Sequence, residues 1–340
     1  MESEREKLTN YLDLFVDKQV AVVGDIMLDE YVYGDIERIN PDSPSVPLLK
    51  VTGSSYVLGG AGNVAANVSA LGAARVILFG LLGREKESAG KAEFLTLKNR
   101  FYNAALGEAA RSAGVELVVE YEGETNVKQR LREQEHDGYL ARSDWGEVDM
   151  HPISSTSKIR LFSELSQRKN LDAIILSDYN KRMFTSGFSV DIINFARRKS
   201  IPVFADPKPR NIAYYMNATM IRPNEKEARE MIGLFDKDVE AVARALCNQT
   251  KSKMVVVTCG RKGMLGYDGE SYEVPTHARS VSDVTGAGDT VIAALALSIL
   301  SGAALPEALA IANYAASVVV EKAGTATVTQ EELRKRIQEF

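Results

Sequence analysis

The sequence is poor in cysteine, histidine and tryptophan, and it contains no long apolar run. Its 340 residues include two cysteines, three histidines and one tryptophan. Two cysteines cannot build a disulfide framework, and the histidines are too scattered to suggest a zinc site. The longest apolar run, near 291–300, is too short to cross a bilayer, and the charged N-terminus lacks the apolar core of a signal peptide. We therefore expect a cytoplasmic protein.

Excess positive charge is also absent. Lysine and arginine number 41 against 46 aspartates and glutamates, which gives a formal net charge of −5. This balance argues against a general nucleic-acid or membrane-surface binder. The length and a hydrophobic content of 45% allow a sizeable core. Because no repeat, low-complexity tract or linker is evident, we predict one main domain over residues 1–340.

Short apolar runs alternate with segments of helical periodicity along most of the chain. Continuous apolar strands separated by helices are typical of a parallel sheet that is covered on both faces. The predicted strands are Val20–Gly24, Val76–Gly80, Ala173–Ser177, Val203–Ala205, Ala218–Arg222 and Met254–Thr258. The predicted helices between them include Ala61–Leu71, Val190–Lys199, Lys226–Leu234 and Asp238–Gln249.

Two segments break this alternation. Tyr31–Val51 contains Pro41, Pro44 and Pro47 together with extended pieces, and Asn126–Trp145 mixes apolar and charged residues around a plausible turn. Both patterns favour antiparallel ribbons over strand–helix–strand units. We predict that the two segments form a small sheet, which projects from the core as a lid or an interface.

The segment Asp283–Thr290, with the sequence DVTGAGDT, precedes a long apolar helical pattern. Gly286 and Gly288 free the backbone, so that consecutive N–H groups can turn toward an anion at the helix N-terminus. Asp289 by itself would be interpreted as a first-turn residue that the helix dipole favours. Beside an anion site, its carboxylate can accept the proton of a hydroxyl group that attacks a bound phosphate. The segment therefore favours phosphoryl transfer from a nucleotide.

A second glycine-rich segment, Leu58–Ala65 (LGGAGNVA), also precedes a helical pattern. It formally fits the G-x-G-x-x-A pattern of dinucleotide-binding dehydrogenases, but that pattern should follow a first strand, and here it follows the proline-rich segment. Tight packing of a helix against glycine is the structural alternative. Small residues also let a ligand approach closely, and Asn63 offers both a donor and an acceptor to hydroxyl groups.

Polar residues follow five of the predicted strands, where open α/β sheets bind their ligands. Asn224 and Glu227 fit a capping box, and they equally fit a position beside nucleotide phosphates and a hydrated Mg²⁺; both interpretations can hold together. The strand-end segments are Gly24-Asp25, Ser177-Asp178-Tyr179, Asp206-Pro207-Lys208, Arg222-Pro223-Asn224 and Thr258-Cys259-Gly260. The cations that stand out on the lid or at strand ends are Lys128, Arg130, Arg142, Lys181 and Lys208.

The two glycine segments together, Gly59–Asn63 and Asp283–Asp289, resemble the two signatures of the ribokinase-like (pfkB) sugar kinases. The resemblance extends from Val20 to about Glu332. It implies an α/β fold with a mostly parallel central sheet, helices on both faces and a small β-sheet lid. It also implies ATP and Mg²⁺ as cofactors, and a homodimer formed through the lid.

The resemblance assigns roles to individual residues. Asp289 is the expected base, and Gly286, Ala287 and Gly288 form the anion site. Glu227 is expected to hold Mg²⁺ through water, and Asp283 lies where it could help to hold a monovalent cation such as K⁺. The residues expected to bind the nucleotide are Asn224, Glu225, Lys226, Glu227, Thr258, Gly260, Gly263 and Asn313. Those expected to bind the sugar substrate are Asp29, Gly59, Gly60, Asn63, Lys128, Arg130, Arg142, Asp178 and Lys208.

Within the family, the chain most resembles kinases of D-glycero-β-D-manno-heptose 7-phosphate, which act in lipopolysaccharide precursor synthesis. The implied reaction phosphorylates the anomeric hydroxyl. A kinase of fructose, ribose or a hexose phosphate is the alternative, and a sugar- or nucleotide-binding regulator without catalysis comes from a different class. The H-x-G-H motif of a nucleotidyltransferase does not occur, so we expect no such domain. The segments that carry this resemblance are Gly24–Asp29, Arg38–Pro41, Ser177–Lys181, Asp206–Lys208 and Gly324–Val328.

Overall fold

A computed structural model describes residues 2–40, 47–85, 93–134, 138–147, 151–184, 187–278 and 280–339, which form ten α-helices and thirteen β-strands. The helices are α1 (Glu2–Asp13), α2 (Ala61–Ala70), α3 (Glu93–Ser112), α4 (Ser155–Gln167), α5 (Phe188–Arg198), α6 (Glu225–Ile232), α7 (Val239–Thr250), α8 (Ala287–Leu300), α9 (Leu305–Val319) and α10 (Gln330–Glu339). The strands are β1 (Gln19–Gly24), β2 (Ile26–Ile39), β3 (Pro47–Gly60), β4 (Arg75–Leu82), β5 (Val115–Tyr121), β6 (Asn126–Glu133), β7 (Tyr139–Trp145), β8 (Ala173–Ser177), β9 (Val203–Asp206), β10 (Met220–Ile221), β11 (Met254–Thr258), β12 (Met264–Tyr267) and β13 (Ser271–Val274).

Nine of the described strands form the central sheet, in the order β13-β12-β11-β10-β9-β8-β1-β4-β5. Neighbours from β11 to β5 run parallel, whereas β12 and β13 join one edge in antiparallel pairing. Helices α1–α3 and α8–α10 pack on one face, and α4–α7 pack on the other. The parallel strands are continuous apolar runs because both faces are covered; every residue of β8 is buried.

The six strands predicted from apolar runs correspond to β1, β4 and β8–β11, and the four predicted helices correspond to α2, α5, α6 and α7. The prediction of a mostly parallel α/β sheet is therefore confirmed. The sequence patterns did not reveal β5, the edge hairpin β12–β13 or helix α3. None of the described helices has the length and hydropathy of a membrane span.

The remaining four strands form the lid sheet, in the order β3-β2-β6-β7. Strands β2 and β3 pair antiparallel, as do β6 and β7, while β2 and β6 pair parallel. The two predicted lid segments do form one small sheet, but its strands extend further, from Ile26 and to Gly60. Strand β2 of the lid thus follows β1 directly, and strand β3 of the lid directly precedes α2. Pro41, Pro44 and Val46 lie outside the described residues.

The parallel strands direct their carboxyl ends to one edge of the sheet, where open α/β sheets bind ligands. The register places Gly24 beside Ser177, and Ser177 beside Asp206. Helix α8 contacts β8, β9 and α2, so its N-terminus reaches the same edge. The polar strand ends, the lid and the start of α8 therefore meet in one place.

Candidate active site

The N-terminus of α8 has the features of an anion site. Gly286, its N-cap, has φ of 79°, in the left-handed region that glycine adopts without strain. In the first turn, Ala287 N–H donates to Val284 O at 3.3 Å, whereas the backbone N–H groups of Gly288 and Asp289 have no partner within the helix. These donors and the helix dipole together favour a phosphate at this position.

Asp289 lies at this helix start with both carboxylate oxygens held. The residue is 4% exposed. Its Oδ1 accepts a hydrogen bond from the Tyr179 hydroxyl at 2.6 Å, and its Oδ2 accepts one from Asn63 Nδ2 at 2.8 Å. Burial raises the pKa of Asp289 above the ordinary carboxyl value, although the two hydrogen bonds oppose this. The shift moves Asp289 toward the pKa range in which a general base is effective.

Tyr179 is a site residue that the sequence analysis did not select. It follows β8, and its backbone N–H donates to Asp25 Oδ2 at 2.9 Å. Burial, reinforced by the neighbouring Asp289, raises the pKa of Tyr179 well above its usual value, so the hydroxyl remains a donor. Its ring lies 5.2 Å from the ammonium of Lys128 and 5.4 Å from that of Lys208. The strand-end position was the signal that could have indicated it.

Asp29, on β2 of the lid, is a predicted sugar-binding residue that lies close enough to Asp289 to raise its pKa. It is 3% exposed, and its Oδ2 accepts a hydrogen bond from Thr325 Oγ1 at 2.6 Å. Arg130 Nη1 lies 2.9 Å from Oδ1, but no hydrogen bond reaches Oδ1 from the described residues. Gly59 allows this packing, since a Cβ there would lie 2.8 Å from Oδ1. Oδ1 is thus engaged by the buried ion pair with Arg130, and Thr325 joins the site as a residue the sequence analysis did not select.

The predicted phosphate-binding cations differ in how their charge is already balanced. Arg142 pairs with Asp144, and Lys208 lies 2.6 Å from Glu227. Lys128, by contrast, forms no ion pair with any residue that the structure describes. Burial and the neighbouring cations lower its pKa, while Asp29 raises it. Lys128 is therefore the cation of this group whose charge is most available to an added anion.

A cavity of about 860 Å³ adjoins the anion site, which is a common size for a cofactor pocket. It reaches Ala287 and Gly288 at one end and contains seven of the residues predicted here. Those seven are Asn224, Thr258, Gly260, Gly263, Ala287, Gly288 and Asn313. Further lining residues are Arg222, Arg261, Met264, Thr276, Ala278, Ser280, Val281, Val284, Val291, Ala316, Ser317 and Val320.

Three of the predicted nucleotide-binding residues do not line this cavity. Glu227 closes a capping box with Asn224, so the structural interpretation of this pair is confirmed. Glu225 pairs with Arg229 at 2.8 Å along α6, and Lys226 is exposed. Charge complementarity along α6 explains the position of Glu225, because residues four apart face each other on a helix.

Asp178 and Asp283 are engaged by protein groups. Asp178 is 1% exposed, and its carboxylate accepts hydrogen bonds from the side chains of Asn211 and Tyr215. These bonds tie the carboxylate to the protein, and the sugar-binding role expected for Asp178 stays a prediction. Asp283 accepts from the backbone N–H groups of Thr285 and Gly324. Burial opposes the shift, yet these bonds hold the pKa of Asp283 below its usual value.

The fold and the buried carboxylate at the start of α8 agree with the resemblance to ribokinase-like sugar kinases, and comparisons with known proteins support it. Residues 170–332 match the model of the pfkB family carbohydrate kinases. The chain is 37% identical over 329 residues to bifunctional protein HldE of Nitrobacter winogradskyi, a match that covers 95% of the chain and 64% of the relative. HldE of Bradyrhizobium diazoefficiens is 38% identical over 331 residues, covering 94% and 63%. The chain thus spans less than two thirds of these relatives.

Solved structures support the fold. Phosphofructokinase-2 from Escherichia coli in complex with fructose-6-phosphate superposes with a TM-score of 0.74 at 17% identity, covering 95% of this chain and 99% of that one. Arabidopsis thaliana ribokinase complexed with ribose and ATP gives 0.67 at 19%, with the same coverage. The match over residues 170–332 identifies a carbohydrate kinase domain of the pfkB family within the chain, as its two glycine signatures predicted.

Proposed function

We propose that the chain is an ATP-dependent kinase that phosphorylates D-glycero-β-D-manno-heptose 7-phosphate at its anomeric hydroxyl. The product is the 1,7-bisphosphate, for lipopolysaccharide heptose precursor synthesis. The resemblance to heptose 7-phosphate kinases and the similarity to HldE proteins support this substrate.

The observation that carries the reaction type is the position of Asp289. It lies between the cavity that ends at Gly288 and the sugar-side pair of Asp29 and Asn63. The anomeric oxygen attacks the γ-phosphorus, its proton passes to Asp289, and the bond to the β,γ-bridging oxygen breaks to release ADP. The backbone N–H donors at the start of α8 stabilise the negative charge on the phosphoryl group during transfer.

The substrate's own phosphate requires a second anion site, which cations can supply. Lys128 is the first candidate because its charge is not balanced by an ion pair among the described residues. Arg130 and Arg142 lie on the same pair of strands, where they occupy opposite positions. Lys208 reaches the same region across the Tyr179 ring. This cluster supports a phosphorylated sugar over a neutral one.

The proposal includes Mg²⁺, held through water by Glu227. No described residues form a cluster of three or more potential metal-ligating side chains. A single carboxylate, that of Glu227, fits Mg²⁺, because this ion keeps several waters and needs few protein carboxylates when nucleotide phosphates also bind it. The ion would neutralise phosphate charge. Asp283 could contribute to a K⁺ site, because its carboxylate already joins the segment before α8, through Thr285, to the loop between α9 and α10, through Gly324.

A panel of sugars and sugar phosphates with ATP, followed by ADP release, tests the proposal. The panel contains heptose 7-phosphate, unphosphorylated heptose, ribose, fructose and fructose 6-phosphate. We expect the highest kcat/KM with heptose 7-phosphate, and phosphorus NMR should locate the new phosphate on the anomeric carbon. A higher kcat/KM with another sugar, or transfer to another hydroxyl, would reject the proposed substrate.

A further inference from the structure

Arg222 is a buried cation at the junction of the nucleotide cavity and the anion site. It follows β10, is 5% exposed and lines the cavity. Its guanidinium lies against Gly288, where a Cβ would be 2.7 Å from Nη1 and 3.0 Å from Nη2. Only glycine at this position lets a guanidinium approach the first turn of α8 so closely. Gly288 therefore serves this approach as well as the helix start.

The sheet register explains how Arg222 is held. Strands β9 and β10 are parallel neighbours that pair Ile221 with Ala205, so Arg222 and Asp206 emerge side by side. The backbone N–H of Arg222 donates to Ala205 O at 2.9 Å, and its Nη2 forms an ion pair with Asp206 Oδ2. Arg222 is thereby fixed both at its backbone and at its guanidinium group.

The same guanidinium is not saturated by the protein. Among the described residues, Arg222 Nε is buried without a hydrogen-bond partner, and so is Asp206 Oδ1. Toward the residues that the structure describes, the Arg222 side chain donates a hydrogen bond only through Nη2. A buried charge with unused donors is costly, and an apolar pair of similar volume would pack at least as well. This arrangement is explained if the unused donors serve an anion that occupies the cavity.

We propose that Arg222 is a catalytic residue that binds the γ-phosphoryl group and neutralises charge on its equatorial oxygens during transfer, with Asp206 as its positioning residue. The inference rests on the proposed kinase function, but not on the identity of the sugar. The bonds made and broken are those given above, and Arg222 neither gains nor loses a proton. Charge stabilisation of this kind is a major part of phosphoryl-transfer catalysis.

Replacement of Arg222 by glutamine and by lysine tests the proposal. For Arg222→Gln we expect kcat to fall about 10²–10³-fold, as for loss of a donor to a developing oxyanion, with smaller changes in KM for sugar and ATP. Arg222→Lys should retain part of kcat, since it keeps the charge but loses the planar fork. Arg168→Gln is the matched control, because it breaks an ion pair of 2.8 Å with Glu116 at the opposite end of the sheet. It should leave kcat unchanged.

Chemical rescue separates catalysis from folding. Guanidinium ion, at concentrations far below those that unfold proteins, should raise the kcat of Arg222→Ala in a saturable way and leave the parent unaffected. If Arg222→Gln fails to fold, the double variant Asp206→Asn/Arg222→Gln removes both buried charges and takes its place. A near-parental kcat in the folded variant, or no rescue, would overturn the role of Arg222. A parent that phosphorylates no sugar would instead reject the proposed function.

Discussion

Replacing Tyr179 with phenylalanine removes one hydrogen bond from Asp289 and keeps the aromatic ring between Lys128 and Lys208. The lost bond, at 2.6 Å, is donated to the anionic form of a buried carboxylate. Hydrogen bonds to charged groups contribute roughly 1.5–3 kcal/mol, and one pKa unit corresponds to about 1.36 kcal/mol. The pKa of Asp289 should therefore rise in Tyr179→Phe, because a hydrogen bond that lowers it is lost.

The sign of the effect follows from the role of Asp289 as a base. Its deprotonated form is active, so activity is lost as the pH falls through its pKa. In Tyr179→Phe the acidic limb of the kcat–pH profile should therefore move to higher pH. The kcat on the high-pH plateau should change little, because Asn63 still donates to Oδ2 and keeps the carboxylate oriented. The assay is ADP release at saturating ATP and sugar across the pH range.

Tyr215→Phe is the matched control. The Tyr215 hydroxyl is also buried and donates to a carboxylate, that of Asp178, at 2.9 Å. This variant should lose thermal stability without moving the acidic limb. If Tyr179→Phe leaves the limb in place, or if both variants move it equally, then the coupling between Tyr179 and Asp289 does not control the base.

Three further predictions concern the base, the substrate phosphate and the lid. Asp289→Asn should lower turnover at least about 10²-fold while equilibrium ATP binding survives; near-normal turnover would remove it from the base role. Single alanine replacements of Lys128, Arg130, Arg142 and Lys208 should raise KM for the phosphosugar much more than for ATP, most of all for Lys128, while the exposed Arg111 serves as the control. Unchanged sugar KM in all four variants would exclude these cations. We propose a homodimer that forms through the lid. Leu48→Glu on β3, or a charged residue in place of Val46, should then weaken both dimerisation and sugar affinity. A fully active monomer, detected by light scattering, would contradict this.

Much of the fold could be predicted from the sequence because the relevant information is local. A strand buried on both faces must be apolar throughout, so β1, β8 and β11 are visible as short continuous runs. The start of α8 is visible for a similar reason, because its glycines are needed where the backbone must turn toward a ligand. The edge hairpin β12–β13 was missed because each strand has only four residues and β13 is partly exposed.

The candidate site was predictable only in part. Asp289, Asn63 and Gly286 belong to recognisable segments, whereas the hydrogen bonds that hold Asp289 join residues 110 and 226 positions apart. Local sequence does not state which strand ends become neighbours. Asp25 and Asp178 each follow the last residue of a strand, and by sequence both resemble functional residues. In the structure, both carboxylates accept hydrogen bonds from groups within the protein.

Residue type and local periodicity by themselves determined the class of fold, the helix start at Gly286 and the carboxylate beside it. Only the tertiary structure decided that Tyr179 donates to this carboxylate and that Asp206 holds Arg222 against Gly288. The physical reason is that periodicity reflects which face of an element is buried, while a site depends on the order and register of the strands. That order places β9 beside β10 and the start of α8 above them, which brings these side chains within bonding distance.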